Sequence, residues 1–169
     1  MSVAPLQKYV ELGNFAKNWD HSKILNEIRD YFGWLYDKDA MDYLGQQLQV
    51  VVKQSRPMYL HGYVISSALQ KYVKTNNNIT ILETGTARGF SSIVMATILD
   101  KYNINGTIHT IDWEPHTKAI YKNCILAAKK SRGVSRKECL EEWKEITEKY
   151  ITFHTDNSLK LLPKLKYNR

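Results

Sequence analysis

The chain has 169 residues, of which 43% are hydrophobic and 24% charged, and its formal net charge is +7. This composition is typical of one compact globular domain and excludes disordered and collagen-like chains. No apolar run reaches the roughly 18 residues of a membrane span and no signal-peptide pattern is found, so we expect a cytoplasmic protein without a membrane partner. Basic residues are spread out and interleaved with glutamates between 118 and 149, which disfavours nucleic acid as a partner.

The first 78 residues are expected to be helical, because apolar residues recur at intervals of three and four. Three stripes carry this prediction: Ile24, Ile28, Phe32 and Leu35; Met41, Leu44, Leu48 and Val51; and Leu60, Val64, Ala68 and Tyr72. Pro57 separates the second stripe from the third, and the asparagines at 76–78 end the third. No chemical motif occurs here, so we assign 1–78 to a helical lead-in or cap and 79–169 to a second domain.

From Ile79 onward, short β-rich runs alternate with helical periods, which is typical of a parallel sheet in an α/β fold. Strands are predicted over 79–82, 107–112 and 151–154. Helices are predicted over 91–102 and 117–129, from a capping box formed by Ser135 and Glu138 to about 150, and from 158 to Pro163. The sequence therefore predicts a Rossmann-like parallel sheet preceded by a helical segment.

The most informative segment is the turn after the first strand, Glu83-Thr84-Gly85-Thr86-Ala87-Arg88-Gly89, followed by Phe90-Ser91-Ser92. Two glycines allow a sharp bend and place unobstructed N–H groups at the amino end of the next helix, which attracts anions. A purely structural turn remains the alternative. Arg88 is expected to be exposed.

Two further carboxylates follow the next two strands. Asp112 lies where it could accept both hydroxyl protons of a ribose, and Asp156 could accept a proton from an adenine amine. Each could instead cap the helix that follows it. Because the carboxyl ends of parallel strands share one crevice, we expect Glu83, Asp112 and Asp156 to face the same ligand.

These segments resemble class I S-adenosylmethionine-dependent methyltransferases. Residues 81–89 look like the family's first motif, with Ala87 where many members carry a glycine; 110–112 look like the second motif, and 155–158 like the adenine-contacting segment. Phe90-Ser91-Ser92 and the helical lead-in are similar to the small-molecule O-methyltransferase branch. The resemblance implies S-adenosylmethionine as cofactor and a small-molecule methyl acceptor, and implies the following cofactor-binding residues: Glu83, Gly85, Thr86, Ala87, Gly89, Ser92, Asp112, Trp113 and Asp156.

Two alternatives stay open. An NAD-dependent oxidoreductase would also use an acid after the second strand, but its G-x-G-x-x-G fingerprint differs from the spacing of Gly85 and Gly89. A non-catalytic remnant that binds a cofactor or nucleic acid is compatible with the net positive charge. Neither the catalytic group nor the acceptor is identified by the sequence. For Trp113 and for His61, packing is the alternative to a ligand contact.

The resemblance also implies a larger sheet, in which a fourth strand pairs with the first. The readable pattern contains three strands, so we expect a truncated methyltransferase, or a sheet completed by another chain or by a second copy. Cys124 and Cys139 are separated by fifteen positions without a C-x-x-C motif, so we expect two buried thiols. The five histidines lack metal-binding spacing, so no metal site is expected.

Overall fold

A helical segment precedes a three-stranded sheet in the computed structural model, which describes residues 3–165. The helical segment contains α1 (Leu6–Asn18), α2 (Ser22–Phe32), α3 (Lys38–Leu44), a π-helical turn (Gly45–Gln49) and α4 (Leu60–Val73). The remainder contains β1 (Asn78–Thr84), α5 (Phe90–Lys101), β2 (Asn105–Asp112), α6 (Ile125–Lys130), α7 (Arg136–Cys139), a 3-10 turn (Glu141–Trp143), α8 (Lys144–Tyr150), β3 (Ile151–Thr155), α9 (Ser158–Leu161) and a 3-10 turn (Leu162–Lys164).

The three strands are parallel and lie in the order β1-β2-β3. Glu83 is in register with Thr110, and Asp112 with Thr155, so the carboxyl ends of all three strands meet at one edge of the sheet. The predicted fold class, a Rossmann-like parallel sheet preceded by a helical segment, is confirmed. Within residues 3–165, β1 is an edge strand that pairs only with β2.

Helices α5 and α8 pack side by side on one face of the sheet, over the buried Ile79, Ile108 and Ile151. α4 packs on the outer side of α5, and α2 on α4. α5 is therefore covered by the sheet on one side and by helices on the other, which explains why eight of its twelve residues are buried and why it shows no amphipathic stripe. One hydrophobic core joins the lead-in helices to the sheet.

The helix predicted from the third stripe is confirmed as α4, Leu60–Val73, but the stripe is not its buried face, because Val64 and Tyr72 are exposed. The buried face instead carries small and polar residues, among them Gly62, Ser66 and Ser67. A Cβ on Gly62 would lie 2.6 Å from Met41 Sδ and within 2.8 Å of the ring of Phe90. Close approach to α3 and α5 thus buries the small face of α4 and leaves Val64, Ala68 and Tyr72 of the stripe exposed.

The helix predicted over 117–129 is wrong in its first part, since regular helix begins only at Ile125. Tyr121 forms reciprocal backbone hydrogen bonds with Val134 at 2.9 Å, and the Asn123 side chain forms two hydrogen bonds with the backbone of Val52, both at 2.8 Å. These tertiary bonds hold residues 113–124 in an irregular conformation that local periodicity does not show.

The capping box of Ser135 and Glu138 is confirmed, but the helix predicted from it to residue 150 is interrupted. The chain turns at Leu140, whose buried side chain packs against Gly89, before α8 begins at Lys144. The helix predicted to end at Pro163 is the short α9 followed by a 3-10 turn. No helix among the described residues is long and apolar enough to cross a membrane.

Candidate functional site

The turn between β1 and α5 is built on two glycines with positive φ, 83° at Gly85 and 93° at Gly89. The Gly85 N–H donates to Ile111 O at 2.8 Å, and the Gly89 N–H donates to Thr86 O at 2.8 Å. A Cβ added to Gly85 would meet no heavy atom within 4 Å, whereas one added to Gly89 would meet Leu140 at 3.0 Å. The turn is therefore open on the Gly85 side and closely packed on the Gly89 side.

Glu83 lies beneath this turn and accepts hydrogen bonds from three hydroxyl groups. Ser91 Oγ donates to one carboxylate oxygen, and Ser92 Oγ donates to the other. Thr110 Oγ1 on β2 also donates to the second oxygen, at 2.6 Å, and lies 2.6 Å from the hydroxyl of Thr86. Glu83 therefore ties the first turn of α5 to the neighbouring strand. The buried hydroxyls of Thr86 and Ser92 are engaged in the same network rather than turned toward the open side of the turn.

Asp112, at the end of β2, points to the same side of the sheet as Glu83, because Thr110 lies opposite Glu83 and two residues before Asp112. Its Oδ2 accepts the Ala87 N–H at 2.7 Å and lies 3.1 Å from Arg136 Nη2. Its Oδ1 accepts the Glu114 N–H at 3.0 Å. A carboxylate has about four lone-pair sites, so these three bonds leave about one site for a ligand. The Asp112 side chain is 15% exposed.

Arg136, a residue that the sequence analysis does not single out, fills the space beside Asp112. Its side chain is only 1% exposed and pairs with that carboxylate. Its Nε donates to Ala87 O at 2.5 Å, its Nη1 to Glu114 O at 3.0 Å and its Nη2 to the Tyr121 hydroxyl at 2.9 Å. The arginine thereby connects the glycine turn, the end of β2 and the irregular segment that follows β2. The residues that flank it in the chain give no local signal of this role.

The last two predicted residues, Asp156 and Trp113, lie next to Asp112. The Asp156 N–H donates to Asp112 O at 3.1 Å, and the side chain of Asp156 accepts the N–H of Asn157. Asn157, not Asp156, caps α9. Trp113 is 69% exposed next to Asp112, so the packing alternative for this side chain is wrong.

Arg88 is not the exposed residue that the sequence predicts. Its guanidinium donates to Leu48 O at 2.7 Å and to Gln49 O at 3.2 Å, at the end of the π-helical turn. Burial lowers the pKa of Arg88. His61 on α4 lies with its ring 5.0 Å from that of Phe90, and desolvation lowers its pKa as well. The lead-in helices thus contact the turn from one side.

Both cysteines are free and buried, as the sequence predicts. The structure adds that the two thiols influence each other's pKa, which their spacing in the sequence does not indicate. The neighbouring Cys139 thiol, the N–H groups of Ala127 and Leu126 and the charge of Arg88 lower the pKa of Cys124. The neighbouring Cys124 thiol and burial raise the pKa of Cys139. Among the described residues, no group of three or more His, Cys, Asp or Glu side chains could hold a metal ion.

No protein-family model and no curated protein matches the chain. Among solved structures, the chain is similar to a cyclopropane-fatty-acyl-phospholipid synthase-like protein from Lactobacillus casei, with a TM-score of 0.36 and 16% sequence identity. The similarity covers 76% of this chain and 42% of that protein, so the chain spans about two fifths of the length of the protein it matches.

Proposed function

We propose that the chain binds S-adenosylmethionine and acts in methyl transfer to a hydroxyl group of a small molecule. The observation that carries this proposal is the open glycine turn at Gly85, with Glu83 and Asp112 placed on the same side of the sheet at the ends of neighbouring strands. This arrangement supports a nucleoside that carries an amino-acid tail as the ligand.

The residues at the turn fit such a ligand. The amino end of α5, a helix of twelve residues, favours the carboxylate of the methionine part, and Gly85 leaves room for it. Asp112 retains about one lone-pair site for a ribose hydroxyl. Trp113 is exposed beside it and offers a ring for the adenine. Glu83 contributes indirectly, because its carboxylate fixes the start of α5.

Bound S-adenosylmethionine would supply an activated methyl group. The described residues would bind and orient that cofactor, and holding the methyl group in line with an acceptor is the main requirement for its transfer. The π-helical turn, through Arg88, and α4, through His61, contact one side of the turn and its following helix.

Calorimetric titration with S-adenosylmethionine, S-adenosylhomocysteine and NAD tests the proposal. We expect the first two to bind and NAD not to bind. Trp113→Ala should weaken binding about tenfold, as expected for the loss of one base-aromatic stack, without changing stability. Tyr31→Ala removes a similarly exposed aromatic side chain from α2 and should leave binding unchanged.

Two outcomes would contradict the proposal. Binding of NAD alone would favour an oxidoreductase. Binding of nucleic acid that weakens steeply with salt, without binding of either methionine derivative, would favour a non-catalytic remnant.

A further inference from the structure

Ala87, between the two glycines of the turn, has a left-handed backbone conformation with φ 47°. A residue with a Cβ disfavours this conformation by about tenfold or more. Asn103 and Ser131 also have positive φ, but they follow helices, where such residues are common. Ala87 instead occupies the segment that faces the proposed ligand, so a different interaction must hold it there.

Both polar backbone groups of Ala87 are held by side chains from later in the chain. Its N–H donates to Asp112 Oδ2 at 2.7 Å. Its carbonyl oxygen accepts from Arg136 Nε at 2.5 Å and from the Tyr121 hydroxyl at 2.6 Å. Arg136 is in turn bonded to both Asp112 and Tyr121, so the three side chains form one connected network.

We propose that Arg136 and Tyr121 are positioning residues that hold Ala87, and with it the glycine turn, in the conformation that binds the cofactor. The proposal rests on the proposed function for the identity of the ligand. Without these bonds, Ala87 would return to negative φ and release its N–H from Asp112. The apparent affinity would then fall in proportion to the fraction of molecules that keep the competent turn.

The test uses Tyr121→Phe, because substitution of Arg136 would leave the half-buried Asp112 carboxylate without its charged partner and could unfold the protein. Four proteins are compared: wild type, Tyr121→Phe, Ala87→Gly and the double variant. Glycine adopts positive φ readily, so Ala87→Gly should remove the need for the clamp, meaning the hydrogen bonds from Arg136 and Tyr121 to the Ala87 carbonyl. Tyr36→Phe is the matched control, because it removes a hydroxyl that donates to Thr97 at 3.0 Å, away from the turn.

The first readout is amide hydrogen exchange at residues 87 and 89, which needs no ligand. Tyr121→Phe should accelerate exchange about tenfold when residue 87 is alanine and less than about threefold when it is glycine. Tyr36→Phe should leave both amides unchanged. Equal acceleration in the two backgrounds, or no acceleration in either, would overturn the proposal.

The second readout is the affinity for S-adenosylhomocysteine. We expect Tyr121→Phe to weaken it about tenfold and the double variant to regain most of the loss. If exchange follows the expected pattern but none of the four proteins binds this ligand, the clamp stands and the proposed function fails. If all four bind equally and exchange is unchanged, the clamp is overturned while the proposed function stands.

Discussion

Among single residues, Gly85 and Gly33 have similar positive φ angles but lie in different parts of the fold. Their φ angles are 83° and 73°, and a Cβ on either would meet no heavy atom within 4 Å. Gly33 ends α2, whereas Gly85 opens the turn at the proposed cofactor site. Substituting alanine at both positions therefore distinguishes the loss of stability caused by a left-handed alanine from the loss of binding caused by a side chain that obstructs the ligand.

We expect Gly85→Ala and Gly33→Ala to lower the free energy of unfolding by a similar amount, about 1–2 kcal/mol each, because both force alanine to positive φ. Only Gly85→Ala should also abolish binding of S-adenosylmethionine. Urea denaturation and calorimetry measure the two effects. Equal loss of binding in both variants would show that the open side of Gly85 is not the ligand site.

His116 is a second residue whose surroundings decide its behaviour. Its ring stacks on Phe153 at 4.0 Å, and its Nδ1 is buried without a hydrogen-bond partner among the described residues. Burial, together with the charges of Arg136 and Lys137, lowers the pKa of His116. Protonation is therefore easier in the unfolded chain than in the folded protein.

Because the folded pKa lies below the unfolded value of about 6.5, the unfolded state takes up the proton first as the pH falls, and stability decreases. We expect the free energy of unfolding to fall between about pH 7 and pH 5. His116→Phe, which keeps the stacking, should reduce this slope and leave the slope above about pH 8 unchanged. Urea denaturation at a series of pH values measures this slope in both proteins. The same slope between about pH 7 and pH 5 in His116→Phe as in the wild type would contradict the prediction.

Among the elements, the contact between α4 and α5 depends on the absence of a side chain. Gly62 lies where a Cβ would come within 2.6 Å of Met41 Sδ and 2.8 Å of Phe90. Phe90 is the first residue of α5 and directly follows the turn. Packing of the lead-in helices is thereby connected to the position of the site.

We expect Gly62→Ala to destabilise the protein by about 1–3 kcal/mol through overpacking, although alanine is the better helix former by about 1 kcal/mol. Ala68→Gly, at an exposed position of the same helix, should cost about 1 kcal/mol through helix propensity alone. Thermal or urea denaturation compares the two. A stabilising effect of Gly62→Ala would show that α4 can move away from α5 at no cost.

For the molecule as a whole, one face of β1 is exposed to solvent and its outer edge is unpaired within residues 3–165. Thr80, Leu82 and Thr84 of β1 are exposed, and the outer edge of β1 has no paired strand among the described residues. Unpaired edges of this kind readily accept another strand. The sequence predicts that another chain completes the sheet. We therefore expect a second copy of this chain to pair with the free edge of β1.

Sedimentation at several concentrations should then detect self-association. Leu82→Lys, which places a charge on the exposed face at a residue that is 41% exposed, should weaken association about tenfold or more. Leu159→Lys changes an exposed leucine on α9 and should have no effect. A monomer at all concentrations would contradict this prediction.

The order of strands and helices after residue 78, the glycine turn and the capping box of Ser135 can all be read from the chain, because β-branched runs, glycines and caps act on their immediate neighbours. The buried face of α4, the irregular segment 113–124 and the role of Arg136 depend instead on how the elements pack. The bond from Arg136 to Ala87 joins residues 49 positions apart, and it forms because the fold brings a buried guanidinium to a carbonyl that needs a donor. No local pattern encodes such a pairing, since its energy depends on groups that meet only after the sheet and helices have packed.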